Sequence, residues 1–460
     1  MTRVLILSHE ELKPEMSGPS IRNWELAAAL ARKHEVTLAV PGPVSLSNPA
    51  FRLVSYDSDN LPGLVASHDV VQVYGFVPYF NPVVRQASRL VVDLYGPFQL
   101  EGLHRHAEHP LARQRAMAAS DRDAVLELLT IGDVFLCASE RQRDFWLGWL
   151  DAAGRVNPDT HERDPGYNSM LRIVPFGLPE APPSIGGRRF RGATPGISDD
   201  DFLVLWGGGI WNWFDPITLI RAAAATAEAI PNLRVLFPGP ASPSNVVPRM
   251  AMEKRARETS GDLGLTGSRV FFGDAWIPYD QRGSAFLEAD VGVSLHRDDI
   301  ETRLSFRTRV LDYLWAGLPV LTTAGDSMAD LVRTEDLGAV VGYGDVDGVA
   351  SALTNLALDK ERRAACAQRS AAVAERFRWS VVSQPLMDYC DNPIAAADRE
   401  LLQSSRRTTR RLVTNPTVAG PAEAGRLARR TVETLVREPG LVIAKGREYI
   451  RRRRRRTGAR

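Results

Sequence analysis

Two arginines and an aspartate lie close together near the start of one helix in the second half of the sequence. Residues 296–319 read as the end of a strand, a charged loop and a helix that begins near Ser305. Arg307 and Arg309 fall in the first turns of this helix, where the helix dipole disfavours positive charge. Their placement indicates an anion bound between them, and Asp312, almost two turns along, would accept hydrogen bonds from sugar hydroxyls. A solvated charged face is the alternative.

Three consecutive glycines end a strand earlier in the same half. Residues 206–216 read Trp-Gly-Gly-Gly-Ile-Trp-Asn-Trp-Phe-Asp-Pro, and each glycine weakens a strand. We interpret Gly208 and Gly209 as a close approach to a diphosphate or a sugar, with Trp211 and Asn212 beside the ligand. A tight turn is the alternative.

The loop after the first strand of the chain is a further candidate. Gly18 lets the backbone approach a ligand, and the helix that follows, with Ser20 as its predicted N-cap, offers free N–H groups to a phosphate. Arg22 adds a cation one turn into that helix. An ordinary strand-to-helix turn is the alternative.

Titratable side chains follow other strand ends. His296 and His9 each end a strand and are candidates for proton transfer. Asp93 and Glu101 follow another strand end and are candidates for binding a ligand. The three histidines within residues 104–109 crowd together, but no helical spacing puts all three on one face, so a solvated loop is favoured over a metal site.

Strands that alternate with helices must position these residues. Short apolar runs predict strands at residues 4–7, 36–40, 70–73, 90–94 and 134–137, and again at 202–206, 233–237, 270–272, 291–295 and 319–322. Helical stretches separate them, among them 20–32, 216–229 and 306–315. This alternation is typical of doubly wound parallel sheets, which bind ligands at the carboxyl ends of their strands.

A segment rich in proline and glycine near residue 180 divides the pattern into two domains. We predict Rossmann-like domains at 1–180 and 198–380, facing a central cleft. Residues 381–398 are predicted to form a helix that returns to the first domain. Residues 399–460 are predicted to form a basic tail, partly helical or disordered.

The charge of the chain is distributed unevenly. The whole chain carries 57 basic and 55 acidic residues, whereas residues 399–460 carry 18 Lys or Arg against 5 Asp or Glu and end in a run of six arginines at 451–456. An acidic body with a basic tail indicates an anionic partner for the tail. An anionic membrane surface is one such partner, to which each nearby arginine would contribute about 1 kcal/mol of binding. A solvated terminus is the main alternative, and nucleic acid is disfavoured.

The cysteine count and the length of the apolar runs indicate the cellular compartment. Three cysteines far apart in the sequence are too few for a disulfide framework and suit a reducing compartment. No apolar run reaches the roughly 18 residues of a spanning helix, so we expect neither a signal peptide nor a transmembrane anchor. A cytoplasmic protein, peripheral on the inner face of the plasma membrane through its tail, is the expectation.

The segment that begins at Asp312 carries a resemblance to a known family. Asp-Tyr-Leu-Trp-Ala-Gly-Leu-Pro-Val-Leu resembles the acidic-residue, Ala-Gly-x-Pro-Val block of family-4 glycosyltransferases, which have the two-domain GT-B fold. Residues 92–98, 137–146, 174–179 and 207–216 look like further blocks of one subgroup, in the expected order. The resemblance covers roughly residues 1–390 and leaves the tail uncovered.

The resemblance implies a metal-independent transfer of a sugar, with retention at the anomeric carbon, from a nucleotide diphosphate donor to a glycan or lipid-linked acceptor in cell-surface polysaccharide assembly. It implies an acceptor-side domain at 1–180 and a nucleotide-sugar donor domain at 198–380, with no cofactor and no metal ligand. Under this interpretation the residues fall into three sets: catalytic Glu301, His296 and Arg307; donor-binding Gly18, Gly208, Gly209, Trp211, Asn212, Ser305, Arg309 and Asp312; and acceptor-binding Arg22, Asp93 and Glu101.

The sequence departs from the family pattern at two places. Leu304 stands where the family has a second glutamate, and Glu301 is the nearest carboxylate that we expect to reach the same place. The Arg and Lys usual in the glycine loop are missing, so Arg307 and Arg309 are expected to neutralise the leaving diphosphate instead. Two alternatives remain open: a nucleotide-sugar epimerase of the same fold, and a catalytically silent protein that binds nucleotide sugars or glycans.

Overall fold

A computed structural model describes residues 1–75, 82–239 and 250–401. The first part of the chain forms a seven-stranded, all-parallel sheet in the order β3-β2-β1-β4-β5-β6-β7. Its strands and helices are, in chain order, β1 (Arg3–Leu7), α1 (Gly18–Leu30), β2 (Glu35–Pro41), β3 (Arg52–Tyr56), α2 (Leu61–Ser67), β4 (Val70–Tyr74), β5 (Leu90–Asp93), α3 (Phe98–Arg105), α4 (Leu111–Ile131), β6 (Val134–Cys137), α5 (Glu140–Ala152), α6 (Pro158–Arg163) and β7 (Leu171–Ile173).

The second part forms a six-stranded parallel sheet in the order β10-β9-β8-β11-β12-β13. Its elements are β8 (Phe202–Leu205), α7 (Pro216–Ala225), β9 (Leu233–Phe237), α8 (Ala251–Asp262), β10 (Val270–Phe272), α9 (Arg282–Leu287), β11 (Val291–Ser294), α10 (Ile300–Leu304), α11 (Thr308–Trp315), β12 (Val320–Thr323), α12 (Ser327–Thr334) and β13 (Gly338–Val341), followed by α13 (Val346–Leu358), α14 (Lys360–Glu375), α15 (Trp379–Val382) and α16 (Gln384–Asp391).

Burial on both faces explains why the central strands read as continuous apolar runs. Val4 pairs with Val36 on one side and with Val70 on the other, and all three side chains are buried. In each sheet the strand order reverses beside the first strand, between β1 and β4 and between β8 and β11. Such reversals open a crevice at the carboxyl edge of a parallel sheet, and this is where a ligand binds in this class of fold.

The last helices lie against the first domain. The Thr2 hydroxyl donates to the Cys390 carbonyl at 2.7 Å, and Arg172 Nη1 donates to the Pro385 carbonyl at 2.8 Å. The Trp379 amide donates to the Leu178 carbonyl at 2.9 Å. The chain thus crosses back to the first domain after the second sheet.

Three strands and two helix starts differ from the sequence prediction. The missed strands β3, β7 and β13 are short, and their residues are only partly buried, so none shows a long apolar run. Helix α1 begins at Gly18 and is capped by Ser17, because the Ser17 hydroxyl accepts from the Ser20 amide. Residues 300–315 form two helices instead of one, and the second begins at Thr308.

None of the described helices is both long enough and apolar enough to span a bilayer. The tail predicted at 399–460 lies, apart from its first three residues, outside the described residues.

Candidate active site

A cavity of about 470 Å³ lies between the carboxyl ends of the two sheets. The first domain contributes the loop after β1, the ends of β4 and β5, and helix α3; the second contributes the loop after β8, the loop after β10, and the start of α11. The wall includes eight residues predicted to bind the donor or take part in catalysis. These are Gly18, Gly208, Gly209, Trp211, Ser305, Arg307, Arg309 and Asp312. Including Glu101, nine of the fourteen predicted site residues therefore line one cavity.

The glycine loop after β8 brings backbone to the cavity wall. The Gly207 amide donates to the Tyr313 hydroxyl at 2.7 Å, which fixes the start of the loop. Gly208 has a φ of +87°, a conformation that favours glycine. A Cβ on Gly209 would lie 2.8 Å from the ring of Trp211, so a side chain there would displace that ring. The loop therefore needs glycine for both its conformation and its close packing.

Arg309 is a buried cation that has no carboxylate partner among the described residues. Its guanidinium lies 4.0 Å from the ring centroid of Phe214 and 5.0 Å from that of Trp206. Nη2 donates to the Gly209 carbonyl at 3.0 Å, and Nη1 has no hydrogen-bond partner in the described part of the chain. Burial lowers the pKa of Arg309 to about 10, which means that the fold disfavours the positive charge. An anion bound in the cavity would neutralise this charge and accept a hydrogen bond from Nη1.

Arg307, two residues earlier, is held by two buried carboxylates. Its Nη1 and Nη2 donate to Glu301 Oε1 and Oε2 at 3.0 and 2.6 Å, and its Nε lies 3.8 Å from Asp326 Oδ2. The Ser305 hydroxyl donates to Glu301 Oε1 at 2.5 Å. Both carboxylates are fully buried, whereas Arg307 reaches the cavity. The structure therefore places Glu301 behind Arg307, and this corrects the expectation that it reaches the position of the missing family glutamate.

Leu304 itself has a different structural role. Its carbonyl accepts from Gln142 Nε2 at 2.9 Å, and the same amide nitrogen donates to the Tyr95 carbonyl at 2.7 Å. Gln142 lies on α5 of the first domain and is completely buried. The backbone carbonyl of Leu304 thus forms a hydrogen bond that joins the second domain to the first.

His296, a predicted catalytic residue, lies outside the described cavity wall. It is completely buried, with Nε2 at 3.0 Å from the Ser294 hydroxyl and Nδ1 at 3.8 Å from Asp326 Oδ2. Burial and the charges of Arg307 and Arg309 lower the pKa of His296 well below its ordinary value. The imidazole is therefore neutral and supports the arginine cluster without reaching a substrate.

Two of the three predicted acceptor residues are also placed elsewhere. Arg22 and Asp93 are completely buried and form a two-point ion pair, with Nε to Oδ2 at 2.5 Å and Nη2 to Oδ1 at 3.2 Å. Arg22 also donates to the carbonyls of Val174 and Pro175 at 2.8 and 2.9 Å. These contacts occupy both groups, so the pair joins β5, α1 and the segment after β7 and does not contact an acceptor.

Asn212 holds the glycine loop from outside the cavity. Its Nδ2 donates to the His104 carbonyl at 3.0 Å, and its Oδ1 accepts from the Met252 amide at 3.1 Å. It therefore fixes the loop between α3 and α8, which differs from the predicted contact with the donor.

Asp312 lines the cavity next to an arginine that the sequence did not reveal. Arg282 Nε donates to Asp312 Oδ1 at 3.3 Å, and the guanidinium stacks at 3.8 Å on the ring of Tyr279. Tyr279 in turn donates to Glu25 of the first domain at 2.7 Å. Burial raises the pKa of Asp312. Arg282 carries no local sequence signal, because its proximity to Asp312 arises from the packing of α9 on α11.

The first-domain side of the cavity is mostly aromatic. Tyr74, Tyr95, Phe98 and Phe176 line it, and Tyr95 belongs to the Asp-Leu-Tyr-Gly-Pro block noted in the sequence. Glu101 projects from the first turn of α3 into the same space. Burial raises the pKa of Glu101 to about 7. This side offers flat apolar faces and, among its titratable groups, the Glu101 carboxyl group.

Across the described ranges, no cluster of three or more His, Cys, Asp and Glu side chains is arranged to hold a metal ion. The crowded histidines of the sequence have other partners: His104 Nε2 lies 3.2 Å from Asp299 Oδ2, and the rings of His106 and His109 stack at 5.9 Å.

Two doubly wound parallel sheets whose carboxyl edges face one cavity define the GT-B fold, the class predicted from the sequence. Solved structures share this fold. The chain is similar to sucrose-phosphate synthase from Thermosynechococcus elongatus, with a TM-score of 0.63 and 17% identity over 84% of this chain and 98% of that chain. It is also similar to the trehalose-6-phosphate synthase OtsA, with a TM-score of 0.64 and 12% identity over 86% of this chain and 100% of that chain. HepE of Anabaena in complex with UDP-glucose gives a TM-score of 0.55 and 14% identity over 85% of this chain and 100% of that chain.

Among curated proteins, the chain is similar to a phosphatidyl-myo-inositol mannosyltransferase of Mycolicibacterium smegmatis, with 28% identity over 167 residues. The match spans 36% of this chain and 40% of the mannosyltransferase, which is less than half the length of either. No protein-family model matches the chain. The fold class is confirmed, and so is the predicted resemblance to glycosyltransferases.

Proposed function

We propose that the protein is a glycosyltransferase that moves a sugar from a nucleoside diphosphate donor to a hydroxyl group, with retention of the anomeric configuration. The observation that carries the proposal is the unpaired guanidinium of Arg309 beside the glycine loop, in the cavity between the two sheets. Retention is taken from the resemblance of the segment at Asp312 to the retaining family.

The donor diphosphate would occupy the space between the glycine loop and the start of α11. Breaking the bond to the sugar leaves negative charge on the terminal phosphate, and groups positioned in advance stabilise such charge most effectively. Arg307 and Arg309 both line this space. Two fixed cations supply the electrostatic stabilisation without a step through a metal ion, so we propose a metal-independent reaction.

The nucleoside and the sugar would extend along the second domain from the diphosphate. Asp312 faces the cavity and is kept in place by Arg282, and an ionised carboxylate accepts hydrogen bonds from hydroxyl groups. One structural relative was solved in complex with UDP-glucose, which makes a uridine or other nucleoside diphosphate sugar the expected donor class.

The acceptor would lie against the aromatic faces of Tyr74, Tyr95, Phe98 and Phe176. Flat aromatic rings bury the apolar face of a sugar ring, which favours a glycan or a lipid-linked sugar over a small charged acceptor. The name of the curated relative, a phosphatidyl-myo-inositol mannosyltransferase, is in keeping with a lipid-linked acceptor. We propose a role in cell-surface polysaccharide assembly, at the inner face of the plasma membrane, with the basic tail on anionic lipid.

Nucleotide binding tests the donor half of the proposal. UDP, GDP, ADP and dTDP are each titrated against the full chain, and the melting temperature is followed, because a ligand held by the folded state raises it. One of the four should stabilise the wild type, and Arg309→Met should lose most of that stabilisation. Arg113→Gln is the matched control, since Arg113 is exposed on α4. If no nucleotide raises the melting temperature, the proposed donor site is wrong.

A nucleotide-sugar-binding protein without activity is the second candidate. It is favoured by Leu304, which stands where the family has a second glutamate, and by Glu301, whose carboxylate is fully buried and paired with Arg307. Binding of a nucleotide sugar without release of nucleoside diphosphate, in the presence of a range of glycan acceptors, would select this candidate. Release that depends on acceptor would instead exclude both this candidate and an epimerase, whose product keeps the nucleotide attached.

A further inference from the structure

We propose that Glu101 takes the proton from the attacking hydroxyl group. The inference rests on the proposed function and adds a catalytic residue to it. Glu101 was expected to bind an acceptor, and its surroundings point to this more specific role.

Helix α3 holds Glu101 at the junction of the two domains. One turn after Glu101, the His104 carbonyl accepts from Asn212 Nδ2 at 3.0 Å, and His104 Nε2 lies 3.2 Å from Asp299 Oδ2. Asn212 and Asp299 both belong to the second domain. These contacts fix the helix against the donor side, so the Glu101 carboxyl group stands between the aromatic wall and the arginines of α11.

Three carboxyl groups line the described cavity wall, and Glu101 differs from the other two in having no hydrogen bond among the described residues. Glu10 accepts from the hydroxyls of Ser17 and Ser20 at the start of α1. Asp312 accepts from Arg282 at 3.3 Å. Glu101 Oε2 has Arg105 Nη2 at 3.7 Å, which is too long for a hydrogen bond. Its lone pairs are therefore available to a hydroxyl group in the cavity.

The groups around Glu101 leave its carboxyl near the midpoint of titration at neutral pH. Burial raises its pKa to about 7, against the opposing effect of Arg105 and Arg307, and Glu301 adds to the rise. Tyr74 and Tyr95 face it from the ends of β4 and β5, and Asp121 on α4 and His9 after β1 lie near Arg105. A base with a pKa near the working pH is the most effective in proton transfer.

Glu101 would act as the base while the sugar moves from the diphosphate to the acceptor hydroxyl. The oxygen of the acceptor hydroxyl forms a bond to the anomeric carbon, and its proton moves to the Glu101 carboxylate. The bond from the anomeric carbon to the phosphate oxygen breaks, and its electron pair stays on the diphosphate beside Arg307 and Arg309. Glu101 then returns the proton to water. Retention requires the acceptor hydroxyl to approach from the side of the leaving diphosphate, and Arg307 is near enough to Glu101 for its charge to lower the pKa of the Glu101 carboxyl.

Slow hydrolysis of the donor, with water as the acceptor, gives a test that needs no identified acceptor. The full chain is incubated with UDP-glucose, GDP-mannose, ADP-glucose and dTDP-glucose between pH 5.5 and 9, and release of nucleoside diphosphate is measured. The wild-type rate should rise with pH through about 7, since the base must lose its proton. Glu101→Gln should lower the plateau at least about 100-fold and abolish this rise. Glu101→Asp should restore part of the rate together with the rise.

Two further measurements separate a catalytic role from a structural one. Glu101→Gln should bind the preferred nucleoside diphosphate with an unchanged Kd and melt within a few degrees of the wild type. Glu108→Gln, an exposed glutamate between α3 and α4, is the matched control and should leave the profile unchanged. A Glu101→Gln rate and pH profile equal to the wild type would overturn the inference and leave the proposed function intact. A wild type that neither binds nor turns over any of the four donors would overturn the proposed function itself.

Discussion

Arg307 and Arg309 are two residues apart and both line the cavity. We predict different effects on stability when each is replaced by methionine. Methionine keeps most of the apolar contact of either side chain and removes the charge. Arg309→Met loses one hydrogen bond to Gly209 and the stacking on Phe214, but it also removes a buried charge without a carboxylate partner. These effects offset, so we expect its stability to stay within about 1 kcal/mol of the wild type.

Arg307→Met leaves two fully buried carboxylates, Glu301 and Asp326, without their cation. Removing one partner of a buried ion pair costs about 3–5 kcal/mol, because the remaining charge stays buried. The variant should therefore melt well below the wild type. For ligand binding, each arginine would supply a charge-assisted hydrogen bond to the diphosphate, worth about 1.5–3 kcal/mol, or about 10- to 150-fold in Kd.

The assay combines thermal melting with calorimetric titration of UDP and inorganic pyrophosphate, the latter as a probe of the diphosphate alone. Arg309→Met should melt like the wild type and bind pyrophosphate at least about tenfold more weakly. If it binds as tightly as the wild type, Arg309 does not face the anion. If it melts as low as Arg307→Met, then losing a buried cation without a carboxylate partner costs as much stability as losing a paired one, and our distinction between the two arginines is wrong.

Three further predictions concern the loop, the domain junction and the buried acid. Gly209→Ala should displace the Trp211 ring and weaken nucleotide binding several-fold by calorimetry, whereas Gly148→Ala, where a Cβ meets open space, should not. Gln142→Leu should lower the melting temperature strongly, because it leaves buried backbone groups of both domains unpaired at about 1–3 kcal/mol each. Burial raises the pKa of Asp326 to about 6, so folding takes up a proton between about pH 4 and pH 6 and stability falls as the pH rises through this window. Asp326→Asn keeps an N-cap for α12 and should flatten that fall in melting curves; an unchanged slope would contradict the assignment.

Most of the fold follows from local patterns in the sequence. Ten of the thirteen strands form apolar runs, and the alternation with helices predicts two parallel sheets. The strands that escaped prediction are short and partly exposed, so their pairing depends on the neighbouring strand more than on their own residues. The glycine loop and the two arginines at the start of α11 were also predictable. Glycines weaken a strand and positive charge is disfavoured at the start of a helix, so a bound anion would explain both placements.

The sequence by itself determined which segments meet at the cavity, since parallel strands bring their carboxyl ends to one edge. It did not determine what each charged side chain does there. Arg22 and Arg309 are both buried arginines, yet one is neutralised by Asp93, 71 residues away, and the other has no carboxylate partner among the described residues. Glu301 is completely buried and paired with Arg307, whereas Glu101 is half-buried and has no side-chain hydrogen bond to the described residues. Only the tertiary structure decided these roles, because pairing and desolvation depend on groups that are distant in the sequence and adjacent in space.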